Sequence, residues 1–141
     1  MRELLLGVDV GTTATKAVLI DFDGKFVSQG RAEHQTHYLK TGWVEQDAQD
    51  WWQSFCKAVA DAKSKVSDAK VAAVVISAQA PTMLPVDENG LPIRRALIWM
   101  DRRAESQAQE LNRQFPDISK MTGNRADPFY VAAKIKWFKQ N

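Results

Sequence analysis

Sulfur chemistry is nearly absent from this chain. It has one cysteine, Cys56, in 141 residues, so no internal disulfide can form and no cysteine-based metal site has partners. The thiol reads as a small buried group in a reducing compartment, and the cytoplasm is the expected location. An excess of one charge sign is also missing: 19 Lys and Arg face 17 Asp and Glu, a formal net charge of +2. With no basic run either, neither a nucleic-acid nor a membrane surface is expected as a partner. No apolar stretch reaches the length of a membrane span. The early "LLLGV" run is cut at Asp9, too soon for a signal peptide. Repeats, low-complexity tracts and linkers are lacking as well. A hydrophobic fraction of 45% against 26% charged residues argues against disorder, and 141 residues fit one compact domain with a real core.

What is present is an α/β pattern. "LLLGVDV" is a nearly continuous apolar run, as in a strand buried on both faces. Gly11-Thr12-Thr13 breaks it and "TKAVLID" resumes a strand pattern. "DFDG" is a turn signal before "KFVSQGRA", so three strands joined by short turns predict an antiparallel meander. The segment around "YLKTGW" reads as polar and turn-like. Asp47 then caps a helix with Asp50 in its first turn. Trp51, Phe55, Val59, Ala62 and Val66 give that helix an apolar face, and it ends near Ser67. "KVAAVVISAQ" reads as another buried strand. "MLPVD" and "RRALIWM", separated by the "ENGLP" turn, predict a short strand pair. A second helix runs through "RRAESQAQELNRQF" to Pro116. After a turn at 122–124, Pro128 stands at the entry to a final helix, "FYVAAKIKWFKQN". That helix meets the chain end without a glycine or proline stop, so the C-terminus looks cut rather than finished.

The stretch "GVDVGTTATK" carries an unusual polar load for the end of a first strand. Strand ends at one edge of an α/β sheet are where ligands sit. The Asp9 carboxylate suits Mg²⁺, directly or through water. Gly11 lets backbone approach a phosphate, Thr12 and Thr13 add hydroxyls and amides, and Lys16 supplies a positive charge unless strand alternation turns it outward. The same residues also fit a tight hairpin turn whose hydroxyls satisfy their own backbone. Neither a G-x-x-x-x-G-K-[ST] nor a G-x-G-x-x-G pattern occurs.

Four stretches in order carry a resemblance to a known family. "GVDVGTTATKAVLID" resembles the first phosphate loop of the FGGY carbohydrate kinases, in the actin and hexokinase superfamily. "GWVEQDAQDWW" resembles the approach to that family's first helix. "VISAQAPTMLPVDENGLPIRRALIWMDRRA" is similar to its sugar-binding strand ends, and "TGNRADPFYVAAKIKWFKQN" to the following turn and helix. The resemblance covers essentially all of residues 1–141. It implies a truncated N-terminal domain with the C-terminal ATP-binding domain absent. The fold implied is α/β, a ribonuclease H-like (actin-like ATPase) domain whose mixed sheet opens with the meander and has helices packed on it.

The activity implied is phosphorylation of a sugar or polyol hydroxyl by MgATP, in a cleft between two such domains. ATP and Mg²⁺ are the expected cofactors, with Asp9 near the metal and phosphates, and Gly11, Thr12, Thr13 and Lys16 on the ATP phosphates. The expected partner is a small sugar or polyol, with a homodimer as an open option for the full-length enzyme. The base aspartate that accepts the sugar proton belongs to a later segment, so this piece alone is expected to be inactive. The rivals are a non-catalytic sugar-binding or regulatory relative, and an actin- or Hsp70-like ATPase that "GWVEQDAQDWW" and "WMDRR" disfavour.

Two segments are implied on the sugar side. After Gln79, glycerol kinases show Arg-Glu and xylulokinases Met-His, where this chain has Ala80-Pro81. That disfavours glycerol, puts D-xylulose in doubt, and leaves room for a different or bulkier sugar. In the second segment, Trp99-Met100-Asp101-Arg102, Asp101 either caps the next helix or accepts from sugar hydroxyls. Trp99 either fills core or offers its face to the sugar's C–H side. Phe129 stands where glycerol kinases use a tyrosine, and Tyr130 on the same helix would point elsewhere. Trp43, Trp51, Trp52 and Trp137 read as packing residues, His34 and His37 lack convergent ligands, and Arg94, Arg95 and Arg103 read as solvated.

Overall fold

The first strand is decided by alternation. Leu4, Leu6 and Val8 are buried and Asp9 is exposed, because successive side chains of a strand point to opposite faces. In the computed structural model, which describes residues 2–141, the elements in chain order are β1 (Arg2–Val10), β2 (Ala14–Ile20), β3 (Phe26–Glu33), β4 (His37–Lys40), β5 (Trp43–Gln46), α1 (Ala48–Ser64), β6 (Ala69–Ala78), β7 (Ala96–Leu97), α2 (Glu105–Gln114), α3 (Ile118–Thr122) and α4 (Val131–Gln140). They sort into two compact units. One holds the residues up to Thr36 with Asp47–Gln79; the other holds His37–Gln46 with Ala80–Asn141.

The first unit is a four-stranded mixed sheet in the order β3-β2-β1-β6. The expected meander is there: β1, β2 and β3 pair antiparallel, and β6 joins β1 in parallel. Helix α1 covers the face that carries Leu4, Leu6, Val8, Ala17 and Leu19, against which Ala58 and Ala62 are buried. Asp47 caps it, Oδ1 accepting from the Gln49 N–H at 2.9 Å.

The fit over β3 is close. A Cβ on Gly30 would lie 2.0 Å from the Ala58 carbonyl oxygen and 2.6 Å from the Ala62 nitrogen, and Ser28 Oγ donates to Ala62 O at 2.8 Å. The inner face of α1 is therefore Ser54, Ala58 and Ala62, with Phe55, Val59 and Val66 packing at its margin. The helix stops at Ser64, a turn before the expected Ser67.

Several burial expectations are corrected here. Strand β1 is buried mainly on its α1 side, not on both faces. Strand β6 is partly buried only at its start, where Ala69 and Val71 pack against the core; Val74, Val75 and Ile76 are 53%, 70% and 59% exposed. Helix α1 packs over β3 and β2 and only marginally on β1, so most of β6 lies past its reach. Cys56 is exposed, because it falls on the outer side of α1. Trp52 is also exposed, stacked on Phe55 with ring centroids 5.6 Å apart.

The second unit has a three-stranded sheet, β4-β5-β7. The "YLKTGW" segment, read as a turn, forms the β4–β5 hairpin, with Gly42 at φ +75° in its bend. The expected strand pair around "ENGLP" shrinks to β7 and two isolated bridges, Met83 with Leu97 and Val86 with Pro92. Helices α2 and α4 bury Ala104, Ala108, Ala133 and Trp137 around Leu97 and Met83. Among the described residues no helix is long and apolar enough to cross a membrane.

Candidate functional site

Asp9 pairs directly with Lys16 across β1 and β2, and Ser77 of β6 is in register with it on the other side. Residues in one such row share a face, so Lys16, Asp9 and Ser77 stand side by side, away from α1. With Gly7, Val18 and Val75 they line a depression of ≈ 340 Å³. The Gly11 N–H closes the following turn on Ala14 O at 3.1 Å. A Cβ at position 11 would come within 3.2 Å of that oxygen and 3.5 Å of Asp9 Oδ2. The tight contact is the one with the Ala14 carbonyl; the carboxylate would be met at ordinary van der Waals distance. Thr12 is half-buried and Thr13 exposed.

The turn is braced from elsewhere in the unit. His34 Nε2–H donates to Gly11 O at 3.0 Å, and its Nδ1 lies 3.1 Å from Ser54 Oγ on α1. The same Ser54 hydroxyl is 2.7 Å from Thr15 Oγ1 and donates to Trp51 O at 2.9 Å. His34 N–H donates to Thr13 O at 3.3 Å. Among the described residues no three His, Cys, Asp or Glu side chains gather as a metal cage. A lone exposed carboxylate beside a glycine turn suits instead a cation that keeps water and phosphate oxygens as its other ligands, which is the habit of Mg²⁺.

In the second unit, Trp99 is 37% exposed and meets Phe129 edge-on, with ring centroids 6.2 Å apart. Phe129 meets Tyr130 edge-on at 5.0 Å. Arg102, Asn124, Arg125, Asp127, Phe129 and Tyr130 line a cleft of ≈ 340 Å³. Asp127 Oδ1 accepts from the Phe129 N–H and from Arg102 Nη1, both at 2.8 Å. The Tyr130 hydroxyl donates to Asn124 Oδ1 at 2.8 Å. Aromatic edges beside fixed polar groups suit a polyhydroxylated ligand, which has both C–H faces and hydroxyls.

The Trp99–Arg102 segment is held by a buried ionic cluster. Asp101 is fully buried; its Oδ2 accepts from the Val44 N–H and from Arg103 Nη2, each at 2.7 Å. Its Oδ1 accepts from Arg103 N at 3.1 Å and Nε at 2.9 Å. Arg103 also pairs with Glu45 Oε1 at 2.8 Å and lies 3.9 Å over the Trp43 ring. Arg94 reaches the same Glu45 oxygen at 2.9 Å. Lys134 of α4 is fully buried and donates to Ile98 O at 2.7 Å, pinning the backbone just before Trp99.

Burial pushes the Lys134 ammonium down to about 8, against the opposing pull of Asp101 and with help from Arg102 and Arg103. Below about pH 8 the folded and unfolded chains hold this proton equally. Between there and the ordinary 10.5 only the unfolded chain keeps it, so stability rises with pH across that window. Urea midpoints measured from pH 7.5 to 10 are expected to show a Lys134 contribution of that sign, which Lys134→Met removes. A flat difference between the two proteins across the window would contradict it.

Comparison with known proteins decides the family. A family model for the N-terminal domain of the FGGY family of carbohydrate kinases matches residues 4–141. The chain belongs to the FGGY carbohydrate kinases. It is 38% identical to a glycerol kinase of Agrobacterium fabrum, over 97% of this chain and 28% of the relative. It is 31% identical to a glycerol kinase of Thermococcus gammatolerans, over 100% of this chain and 29% of the relative. The crystal structure of gluconate kinase from Lactobacillus acidophilus superposes with a TM-score of 0.93 at 27% identity, over 100% of this chain and 29% of that one. The chain thus spans 29% or less of the length of these kinases. Its mixed α/β architecture is the actin-like ATPase fold that they share.

Against this FGGY background, the predicted residues fall into two groups. Asp9, Gly11, Thr12, Thr13 and Lys16 gather at one strand end of the first unit, as does Gln79, whose N–H donates to Val10 O at 2.9 Å. Arg102 and Phe129 line the aromatic cleft of the second; Trp99 is not among its lining residues and meets Phe129 edge-on. Ala80 and Pro81, joined by a cis peptide bond, are not among the residues lining it.

Asp101 neither caps α2, which starts at Glu105 without a side-chain cap, nor faces the cleft; both its oxygens are taken. Arg103, read as solvated, has a fully buried side chain. Tyr130 does not point away from Phe129. Both precede α4, because the Asp127-Pro128 turn delays the helix, and both line the cleft. The bracing contacts of His34 and the cleft-lining place of Asn124, Arg125 and Asp127 are not announced by the sequence. The Asp-Pro dipeptide was a usable signal for the second; nothing local marks His34, whose partners are 20 and 23 positions away.

Proposed function

We propose that the full-length protein transfers the γ-phosphoryl group of ATP to a hydroxyl of a sugar or polyol. The observation that supports this reading best is the exposed Asp9 carboxylate, set opposite Lys16 and beside the Gly11 turn at a strand end of an FGGY-family chain. Asp9 would hold Mg²⁺ together with the nucleotide phosphates, and the ion would supply charge neutralisation during in-line transfer. Thr12 and Thr13 would offer hydroxyls and amides to phosphate oxygens, and Lys16 a compensating charge. His34 and Ser54 would keep the turn in place, which matters because such catalysis is mainly positioning.

On the acceptor side Trp99 and Phe129 would lie against the C–H surface of the sugar, and Arg102 and Asp127 would bind hydroxyls. Asp101, Arg103 and Lys134 would act through the segment they anchor. A panel of pentuloses, hexoses, polyols and sugar acids, assayed for ATP consumption by the full-length protein, tests the proposal. Saturable ATP turnover with at least one class is expected. Saturable sugar binding with no ATP turnover across the panel would overturn it in favour of a non-catalytic relative.

A further inference from the structure

Asp9 is not the only acceptor at its strand end. In the first unit β1 and β6 are the parallel pair, and an α/β sheet presents ligand groups at the carboxyl ends of its parallel strands. Asp9 is the penultimate residue of β1 and Ser77 the penultimate residue of β6, and the two are in direct register. Their side chains leave the sheet on the same face, and both line the ≈ 340 Å³ depression with Lys16. Ser77 stands out in its strand. Apart from Lys70 near the other end, the rest of β6 is alanine, valine and isoleucine. Ser77 is exposed, and its hydroxyl has no hydrogen-bond partner among the described residues. The remaining lining residues, Gly7, Val8, Val18 and Val75, bring no polar side chain, and a lysine can only donate. Ser77 Oγ is thus the one side-chain acceptor that the depression offers besides the Asp9 carboxylate.

We propose that Ser77 is a positioning residue for the nucleotide-bound magnesium ion, its Oγ accepting from a water of the ion that Asp9 holds. Magnesium gives up water reluctantly and keeps several waters in protein sites. Those waters donate, so they need acceptors around them, and such outer partners set both the orientation and the affinity of the metal. The role is specific in sign. An acceptor that meets metal-bound water helps the nucleotide only when magnesium accompanies it, whereas a hydroxyl that donated to a phosphate oxygen would tighten the free nucleotide as well. The inference rests on the phosphoryl-transfer reading and adds to it a residue of β6, a strand to which that reading gives no part; it fails separately from it.

The test is equilibrium binding of ADP to the full-length protein, to Ser77→Ala and to Ser77→Thr, once in excess Mg²⁺ and once in a chelator. Ser77→Ala is expected to weaken ADP binding by about tenfold in magnesium and to leave it unchanged in the chelator, which also shows that the site is still folded. Ser77→Thr keeps the hydroxyl and suits a strand, so it should bind as wild type does in both conditions. Wild-type affinity of Ser77→Ala in magnesium overturns the inference. So does an equal loss with and without the metal, which would put the hydroxyl on a phosphate, and so does a Ser77→Thr protein as weak as Ser77→Ala. A wild type whose ADP affinity ignores magnesium overturns the metal role of Asp9 along with it.

Discussion

Asp9→Ala in the full-length protein is expected to lower phosphoryl transfer by about 10²–10³-fold, the usual cost of removing one group that acts on charge developing in the transition state. Sugar affinity should hold to within about a factor of two. The asymmetry follows from placement. Asp9 stands on the open face of the four-stranded sheet, between Lys16 and Ser77, whereas the aromatic cleft belongs wholly to the other compact unit. Its side chain is exposed and packs in no core, so the fold should survive its loss. Asp9→Asn should behave like Asp9→Ala, because it keeps the shape and removes the charge. Steady-state kinetics together with a direct sugar-binding measurement separate the two effects. Equal losses in transfer and in sugar binding, with the fold intact, would assign Asp9 a structural role instead.

Gly30→Ala is expected to destabilise the first unit by about 3 kcal/mol or more, at or beyond the upper end for an overpacked core. The added methyl group would meet backbone, at 2.0 Å from Ala58 O and 2.6 Å from Ala62 N, and backbone cannot swing aside as a side chain does. Helix α1 would have to lift off β3. That would also stretch the 2.8 Å hydrogen bond from Ser28 to Ala62 O. Ser28→Ala, which deletes only this bond, should cost about 1 kcal/mol. Urea denaturation of both variants checks the ranking. A Gly30→Ala midpoint equal to wild type would show that the helix does not sit this close.

These two residues mark what sequence could and could not disclose. The polar cluster after β1 was legible because its residues are neighbours in the chain and offend the apolar pattern around them. Gly30 was not, since its meaning lies in a helix 28 and 32 positions further on. The meander was legible from alternation and turns. The β4–β5 hairpin was not, because its strands are four residues each and expose Tyr38 and Leu39, so no apolar period survives. For β6 the composition announced a strand correctly, but composition cannot say which strands α1 covers.

In the second unit, Asp101 and Arg103 have roles that the chain order does not announce. Asp101 and Arg103 carry charges two residues apart, the ordinary sign of a solvated turn. Only the fold shows Trp43, Glu45 and Val44 closing over them. Lys134 likewise sits in a helix with other lysines, Lys136 and Lys139, that reach the surface, and only the contact with Ile98 O sets it apart.

The central claim is that the Asp9 carboxylate takes part in holding nucleotide-bound magnesium. Calorimetric titration of ADP into the full-length protein, with and without Mg²⁺, tests it most directly when run on wild type and on Asp9→Ala. Magnesium should tighten ADP binding to wild type, and Asp9→Ala should lose that gain while still binding free ADP. The same magnesium-dependent gain in both proteins would contradict the account.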